Sequence, residues 1–378
     1  MKKFGLALVL CLAFLSCEKK KITHSFCFWK TKWYIYEEDI KLQKEMDVQH
    51  FYVRFFDVDW NPYDREPRPV ATLRRSTLLL PYESDIQEIT PSIFITNNVL
   101  LNSNKGQLDT LAKNIQKRMH LILDKFHEVE SQKYAFDYAA KVKRPYESKL
   151  IDSIMEIEKK KGSKMPKEVL IDCDWTVKSK DNYFYLLEKL KQPDYKLSAT
   201  IRLWQYKYFE KAGIPPVDKG LLMCYNLSSP SERKTENSIA TSREIEEFIT
   251  HSDYKLPLDI ALPIFSWSVV FRGDQFKGII SDNSAVDFEN DTLNIKKITD
   301  NKYVLKNDMI IGESFFRNGD EIRIEKISDS EMQKMIKHIK SKIKLENNAR
   351  ITFFSWDTKF IQNYGTDKIN SYYAQFER

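Results

Sequence analysis

The sequence predicts an α/β protein: a closed (β/α)8 TIM barrel with a small inserted α+β or all-β unit between strand 7 and its helix. Three observations predict it. Eight short apolar runs rich in β-branched and aromatic residues recur along the chain. They are continuous, not alternating, which is the pattern of strands covered on both faces in a parallel sheet. Stretches of helical spacing separate them, so strand and helix alternate as a barrel requires. The 378 residues also suffice for a barrel of about 250 with an insertion. An open doubly wound sheet is the competing architecture, and no glycine-rich phosphate loop supports it.

The first segment, "MKKFGLALVLCLAFLSC", has two lysines, an apolar stretch from Phe4 to Leu15, and Ser16 before Cys17. Residues 1–16 therefore read as a secretory signal, too short for a stable membrane span. A small residue before a cysteine at this point resembles a bacterial lipoprotein cleavage box, which makes Cys17 the lipidated first residue of the mature chain. Residues 17–25 are then the lipidated N-terminus and linker. The expected location is the cell envelope, lipid-anchored to a bacterial membrane at a periplasmic or exposed surface, with plain secretion as the alternative.

Residues 26–272 carry strands 1 to 7, in "SFCFW", "FYVRFFDVDW", "PSIFITNN", "EVLIDCDW", "KLSATIRLW", "KGLLMCYN" and "LDIALPIFSW". Helical spacing joins Leu111, Ile115, Ile122 and Phe126, and likewise Ile245, Phe248 and Ile249. A charged connection over about 128–166 is expected to be helical and peripheral. Residues 273–327 break the rhythm with short alternating runs split by Asn, Asp and Gly, the pattern of an inserted antiparallel β unit. Residues 328–378 complete the barrel. Helix 7 carries Met332, Met335, Ile336, Ile339 and Ile343, and strand 8, "ARITFFSW", is followed by helix 8.

Composition removes several function classes. Charged residues make up 30% and hydrophobic ones 42%, so the chain is globular and not disordered. The net charge of +6 comes from scattered lysines with no basic block beyond Lys19 to Lys21, so nucleic acid is not an expected partner. Cys27, Cys173 and Cys224 have no CxxC spacing and suit buried apolar positions. The six histidines are dispersed, and an all-carboxylate cation site at the strand ends lacks a loop signature, so neither metal nor cofactor is expected.

Polar residues gather where the apolar runs stop, which in a barrel is the mouth. Asp57 and Asp59 end strand 2, Asp172 and Asp174 strand 4, and Tyr225 and Asn226 strand 6; Arg202 and Trp204 belong to strand 5 and Trp356 to strand 8. Alternation sends Asp172, Asp174 and Thr176 one way and Cys173 and Trp175 the other. Carboxylates that close raise one another's proton affinity, and such pairs recur in sites acting on sugars. The plainer alternative is that each aspartate is held by Arg54 or Arg202, or caps the next helix.

These residues also carry a family resemblance. "VLIDCDWT" resembles the fourth-strand Asp-x-Asp-x-Glu series of the chitinase-like family-18 glycoside hydrolases. "LLMCYN" is similar to their Met-x-Tyr-Asp, and "IALPIFSW" to their Gly-x-Pro-x-Tyr, through Ala261, Pro263 and Phe265. The resemblance implies that Trp356 in "FFSWD" is the tryptophan flooring the sugar site. It also implies that Asp172 and Asp174 belong to the catalytic series, whose final Glu is the family's general acid. Thr176 stands in that place. Its hydroxyl does not ionise usefully near neutral pH, so the family's proton transfer is absent as written. Asn226 likewise replaces an Asp, and "IFITNNV" lacks the family's Ser-x-Gly-Gly.

Three functions follow. The first is an anchored barrel that binds glycan, possibly N-acetylated, through Arg54, Arg202, Trp204, Tyr225, Asn226 and Trp356 without the catalytic acid. The second is an active glycosidase in which Asp57 or Asp59 works with Asp174. The third is a non-catalytic interaction or scaffold lipoprotein.

Overall fold

The computed structural model describes residues 21–33, 36–75, 88–145, 147–281, 288, 291–311 and 314–377. The expected signal, residues 1–16, and Cys17 lie outside them. Eight strands form the central barrel: β1 Ile22–Phe28, β2 His50–Asn61, β3 Glu88–Ile95, β4 Glu168–Asp172, β5 Lys196–Arg202, β6 Lys219–Met223, β7 Leu258–Pro263 and β8 Ala349–Phe354. Each runs parallel to its neighbours, and β1 pairs with both β2 and β8, which closes the ring. All eight apolar runs fall on these strands.

The outward face of the ring carries the main core. Phe26, Val53, Ile93, Ile171, Ile201, Leu222, Ile260 and Phe353 are all fully buried against the surrounding helices. Each such side chain contributes roughly 1.5–3 kcal/mol through burial. The inward face is polar at both ends. This explains why β1 starts at Ile22, inside the expected linker of residues 17–25: Thr23 and Ser25 alternate with its apolar residues, and Ile22 already pairs with Ala349.

A network of charged groups fills the N-terminal end of the barrel. Arg350 Nη1 lies 2.6 Å from Glu168 and its Nη2 3.0 Å from Glu88. Lys219 Nζ lies 2.7 Å from Asp259, which also accepts the Tyr52 hydroxyl at 2.9 Å and the Arg350 backbone N–H at 2.6 Å. Burial raises the Asp259 carboxyl, while Lys219 and Arg350 work against the rise. Ser198 donates to Glu168 at 2.7 Å. The His50 ring bridges Ser25 and Thr90, and burial followed by the two cations lowers its proton affinity, so it is neutral.

The long helix Lys105–Lys141 begins with a capping box, in which Asn104 accepts from the Gln107 N–H and the Gln107 side chain accepts in return. Its 37 residues reach about 55 Å, and the helix Ser148–Lys159 folds back against it over Ala135, Ala139 and Ile151. The 128–166 connection thus comprises the far end of one helix and its return.

The insertion is a five-stranded antiparallel sheet in the order Gln275–Ile280, Trp267–Arg272, Glu321–Glu325, Lys302–Leu305, Ile295–Thr299. A hairpin, Met309–Ile311 with Ser314–Phe316, adds to it. It has its own core around Val270, Tyr303, Leu305 and Ile322. Its first strand precedes the expected boundary at 273, because "WSVVFR" follows closely on the apolar end of β7 and carries Val269, Val270 and Phe271 as a barrel strand would. The helix Asp329–Lys342, capped by Ser328, then returns the chain to the barrel.

Candidate functional site

The C-terminal mouth is built from the inward residues of β1, β2, β4, β5 and β8 and the loops that follow. Its most unusual piece is β2. Arg54 pairs with Ser92 and Phe56 with Ile93, so Phe55 is an extra residue, a β-bulge. Phe55 meets Phe126 and Phe56 lies under Arg118, so both face the outer helix. The bulge therefore turns Arg54 and Asp57 to the same side, which strict alternation forbids. Arg54 Nε donates to one Asp57 oxygen at 2.7 Å, and its Nη2 takes the other.

Asp57 and Asp59 do not end the strand. It continues to Asn61 and pairs antiparallel with Glu66–Val70. The expected stop at Asp59 fails because "WNPYD" makes the turn one residue pair further on. Asp59 accepts the Thr96 hydroxyl at 2.7 Å and the Trp60 N–H at 2.8 Å.

Asp172 and Asp174 face inward, as alternation requires. Trp175 faces out, stacked on Tyr183 at 4.9 Å with its indole N–H on the Ala212 carbonyl. Arg202 grips Asp174 with two nitrogens, at 2.6 and 3.0 Å. Its third nitrogen, Nη1, is buried without a hydrogen-bond partner among the described residues. Asp172 is 6% exposed and accepts the Thr200 hydroxyl at 2.7 Å. Burial pushes its carboxyl up to about 7, and the charges of Asp174 and Asp57 add to the rise, while Thr200 and Arg202 oppose it. Such a group gains and loses a proton near neutral pH.

An aromatic wall stands beside these carboxyls. The Tyr225 ring lies 5.0 Å from Phe354 and 6.0 Å from Phe265, and Phe354 lies 5.7 Å from Trp29. Arg54 sits 5.7 Å over Trp29, which joins the wall to the Arg54–Asp57 pair. Phe265 continues to Trp267 at 5.1 Å. Burial raises the Tyr225 phenol.

Trp356 is a correction. Its indole packs edge-on against Phe26 and Phe51 on the outer face and donates to Asp39 at 2.8 Å. It therefore offers no face to a ligand in the mouth; Phe354 is the strand-8 aromatic that reaches the wall. The strand ends at Phe354, so alternation no longer governs Trp356. Trp204 is half-buried in the short helix Leu203–Lys207, and among the described residues no ring contact joins it to the wall. Asn226 is exposed after β6 with φ of +55°, a conformation that Asn tolerates better than most residues.

Thr176 has a local task. Its backbone N–H donates to Ser179 Oγ at 2.9 Å, and the Ser179 hydroxyl reaches Asn97 Oδ1 at 2.5 Å. These contacts set the turn into the helix Lys180–Leu190. Trp29, Thr200 and Phe354 join the site in addition to the residues expected of it. Each had a signal: Trp29 and Phe354 close apolar runs, and Thr200 alternates in phase with Arg202. Among the described residues no three His, Cys, Asp or Glu side chains are grouped to hold a metal ion.

No family model matches the chain, and no curated protein sequence matches it. Solved structures do. The spore cortex-lytic enzyme SleL of Bacillus cereus is 13% identical, with 94% of this chain aligned to 74% of that one at a TM-score of 0.50. SleL of Bacillus megaterium QM B1551 is 11% identical over 93% of this chain and 74% of that one, TM-score 0.48. The GH18 chitinase ChiB of Flavobacterium johnsoniae is 11% identical over 94% of both, TM-score 0.44. At such identity the likeness to the first is one of fold, a TIM barrel with additional sheet units.

Proposed function

We propose that the mouth binds a glycan and that the chain has kept the glycoside-hydrolase-like barrel without the acid at Thr176. The observation that carries this is convergence. The bulge at Phe55 and the ends of β4, β5 and β8 bring three carboxyls, two guanidinium groups and an aromatic wall to one opening. Aromatic faces suit the apolar side of a sugar ring, and fixed carboxylates and an unused Arg202 N–H suit its hydroxyl and amide groups. The fold likeness to a cortex-lytic enzyme is compatible with this class of ligand. On this reading Cys17 anchors the protein at the cell envelope, and the mass of the mature N-terminus tests that part.

A second reading, an active glycosidase, has one observation in its favour: Asp172, buried and pushed up to about 7, could serve as a proton donor. The partnership of Asp57 with Asp174 is less favoured, since a guanidinium occupies both oxygens of each. Calorimetry with N-acetylated and unsubstituted oligosaccharides tests both. Saturable binding that weakens at least tenfold in Asp174→Asn, without release of reducing ends, is the expected result. Absence of binding by every sugar removes the first reading, and turnover abolished by Asp172→Asn establishes the second.

A further inference from the structure

Away from the mouth, a cavity of about 430 Å³ opens between the loop after β6 and the inserted sheet. Phe271 forms its floor, with Arg233 at 5.7 Å and Arg323 at 5.3 Å over the ring. Lys234 and Lys302 complete the rim. Four cations thus meet three carboxylates: Glu321 and Asp274, which pair with Arg233 at 2.5 and 3.7 Å, and Glu325, which pairs with Arg323 at 2.7 Å behind the lining. Four positive against three negative charges leaves one positive. Among the described residues neither Lys234 nor Lys302 has a carboxylate within ion-pair distance, whereas Arg323 is further fixed by the carbonyls of Pro230 and Glu232.

We propose that this cavity is a binding site for an oxyanion, the carboxylate or phosphate group of a ligand, with Lys234 and Lys302 as its free charges and the stacked arginines as its rigid base. Arginines held over an aromatic face are already positioned, so little ordering accompanies binding. A concave site with low-dielectric walls also strengthens attraction for an anion. The register pairs Lys302 with Arg323, and Trp267 with Glu325, and residues two apart along a strand share a face. Trp267 at the edge of the aromatic wall and Phe271 in the cavity therefore lie on one face of the sheet, roughly 13 Å apart. The site stands independently of what the mouth takes.

Titration calorimetry on the full chain at low salt, with inorganic phosphate and with a uronic-acid oligosaccharide, tests it against the Lys234→Gln/Lys302→Gln double variant. Both lysines sit at the rim, and a thermal melt checks that the variant folds. Saturable anion binding weakened at least tenfold in the variant and by added salt is expected. Tighter uronate binding assigns the group to an acidic sugar, and phosphate binding alone assigns it to a phosphate ligand. No saturable binding of either anion to the unsubstituted protein, or equal binding by the double variant, overturns the proposal.

Discussion

The two ends of the barrel are both lined with charge, yet they differ in how the charges are settled. At the N-terminal end Arg350 and Lys219 meet Glu88, Glu168 and Asp259 in a closed network, and Tyr52, Ser198 and His50 complete it. At the mouth the pairing is incomplete. Asp172 is buried with only Thr200 donating to it among the described residues, and Arg202 keeps a nitrogen unused. Satisfied networks hold structure, whereas unsatisfied buried groups are where a ligand finds partners. The comparison also separates two uses of the same residue types within one set of strands: Glu168 and Asp172 lie four residues apart on β4 and face the same axis.

That contrast can be broken most forcefully at the N-terminal end. Arg350→Met strands Glu168 and Asp259 with one cation fewer, and a loss of about 3–5 kcal/mol in denaturant unfolding is expected, with ligand binding by the folded protein intact. A change below about 1 kcal/mol would show that the network holds nothing.

At the mouth the expected effect is smaller and depends on pH. Asp172 keeps its proton up to about 7 in the folded chain and releases it near pH 4 when unfolded. The folded state therefore binds the extra proton between these values, and stability falls as pH rises from about 4 to about 7. The drop should be on the order of 2–4 kcal/mol and should vanish in Asp172→Asn. Identical stability–pH curves for the two proteins would remove Asp172 from the titrating groups. The smallest effect belongs to Thr176→Ala, which loses the 3.3 Å contact with Ser179 and should cost about 0.5–1 kcal/mol while leaving glycan affinity unchanged. If binding disappeared with it, Thr176 would belong to the ligand site and not to the turn.

Much of this arrangement was legible in the residues. Runs such as "EVLIDCDW" and "KGLLMCYN" announced buried parallel strands because their outward faces must be apolar, and alternation alone oriented Asp172 against Trp175. The register of β2 was not legible, since an extra residue in a strand leaves no mark in hydrophobicity when both Phe55 and Phe56 are apolar. Trp356 misled for a related reason: two residues past the final pairing at Phe354, periodicity says nothing about direction, and an indole fits an outer core as well as a sugar site. The start of the insertion at Trp267 was hidden because a strand facing its own small core is as apolar as one facing the barrel.

Phe55 carries a consequence for how such an opening could change over generations. Loss of that single codon would restore unbroken pairing with β3 and leave everything beyond it as it is, because Arg54 would still face Ser92, Phe56 Ile93 and Asp57 Phe94. Had Phe55 been absorbed into regular pairing instead, Asp57 and Asp59 would point into the helices and Phe56 and Val58 toward the axis. One extra residue, taken up as a bulge, thus keeps a polar opening polar, with no substitution at any residue that a ligand touches.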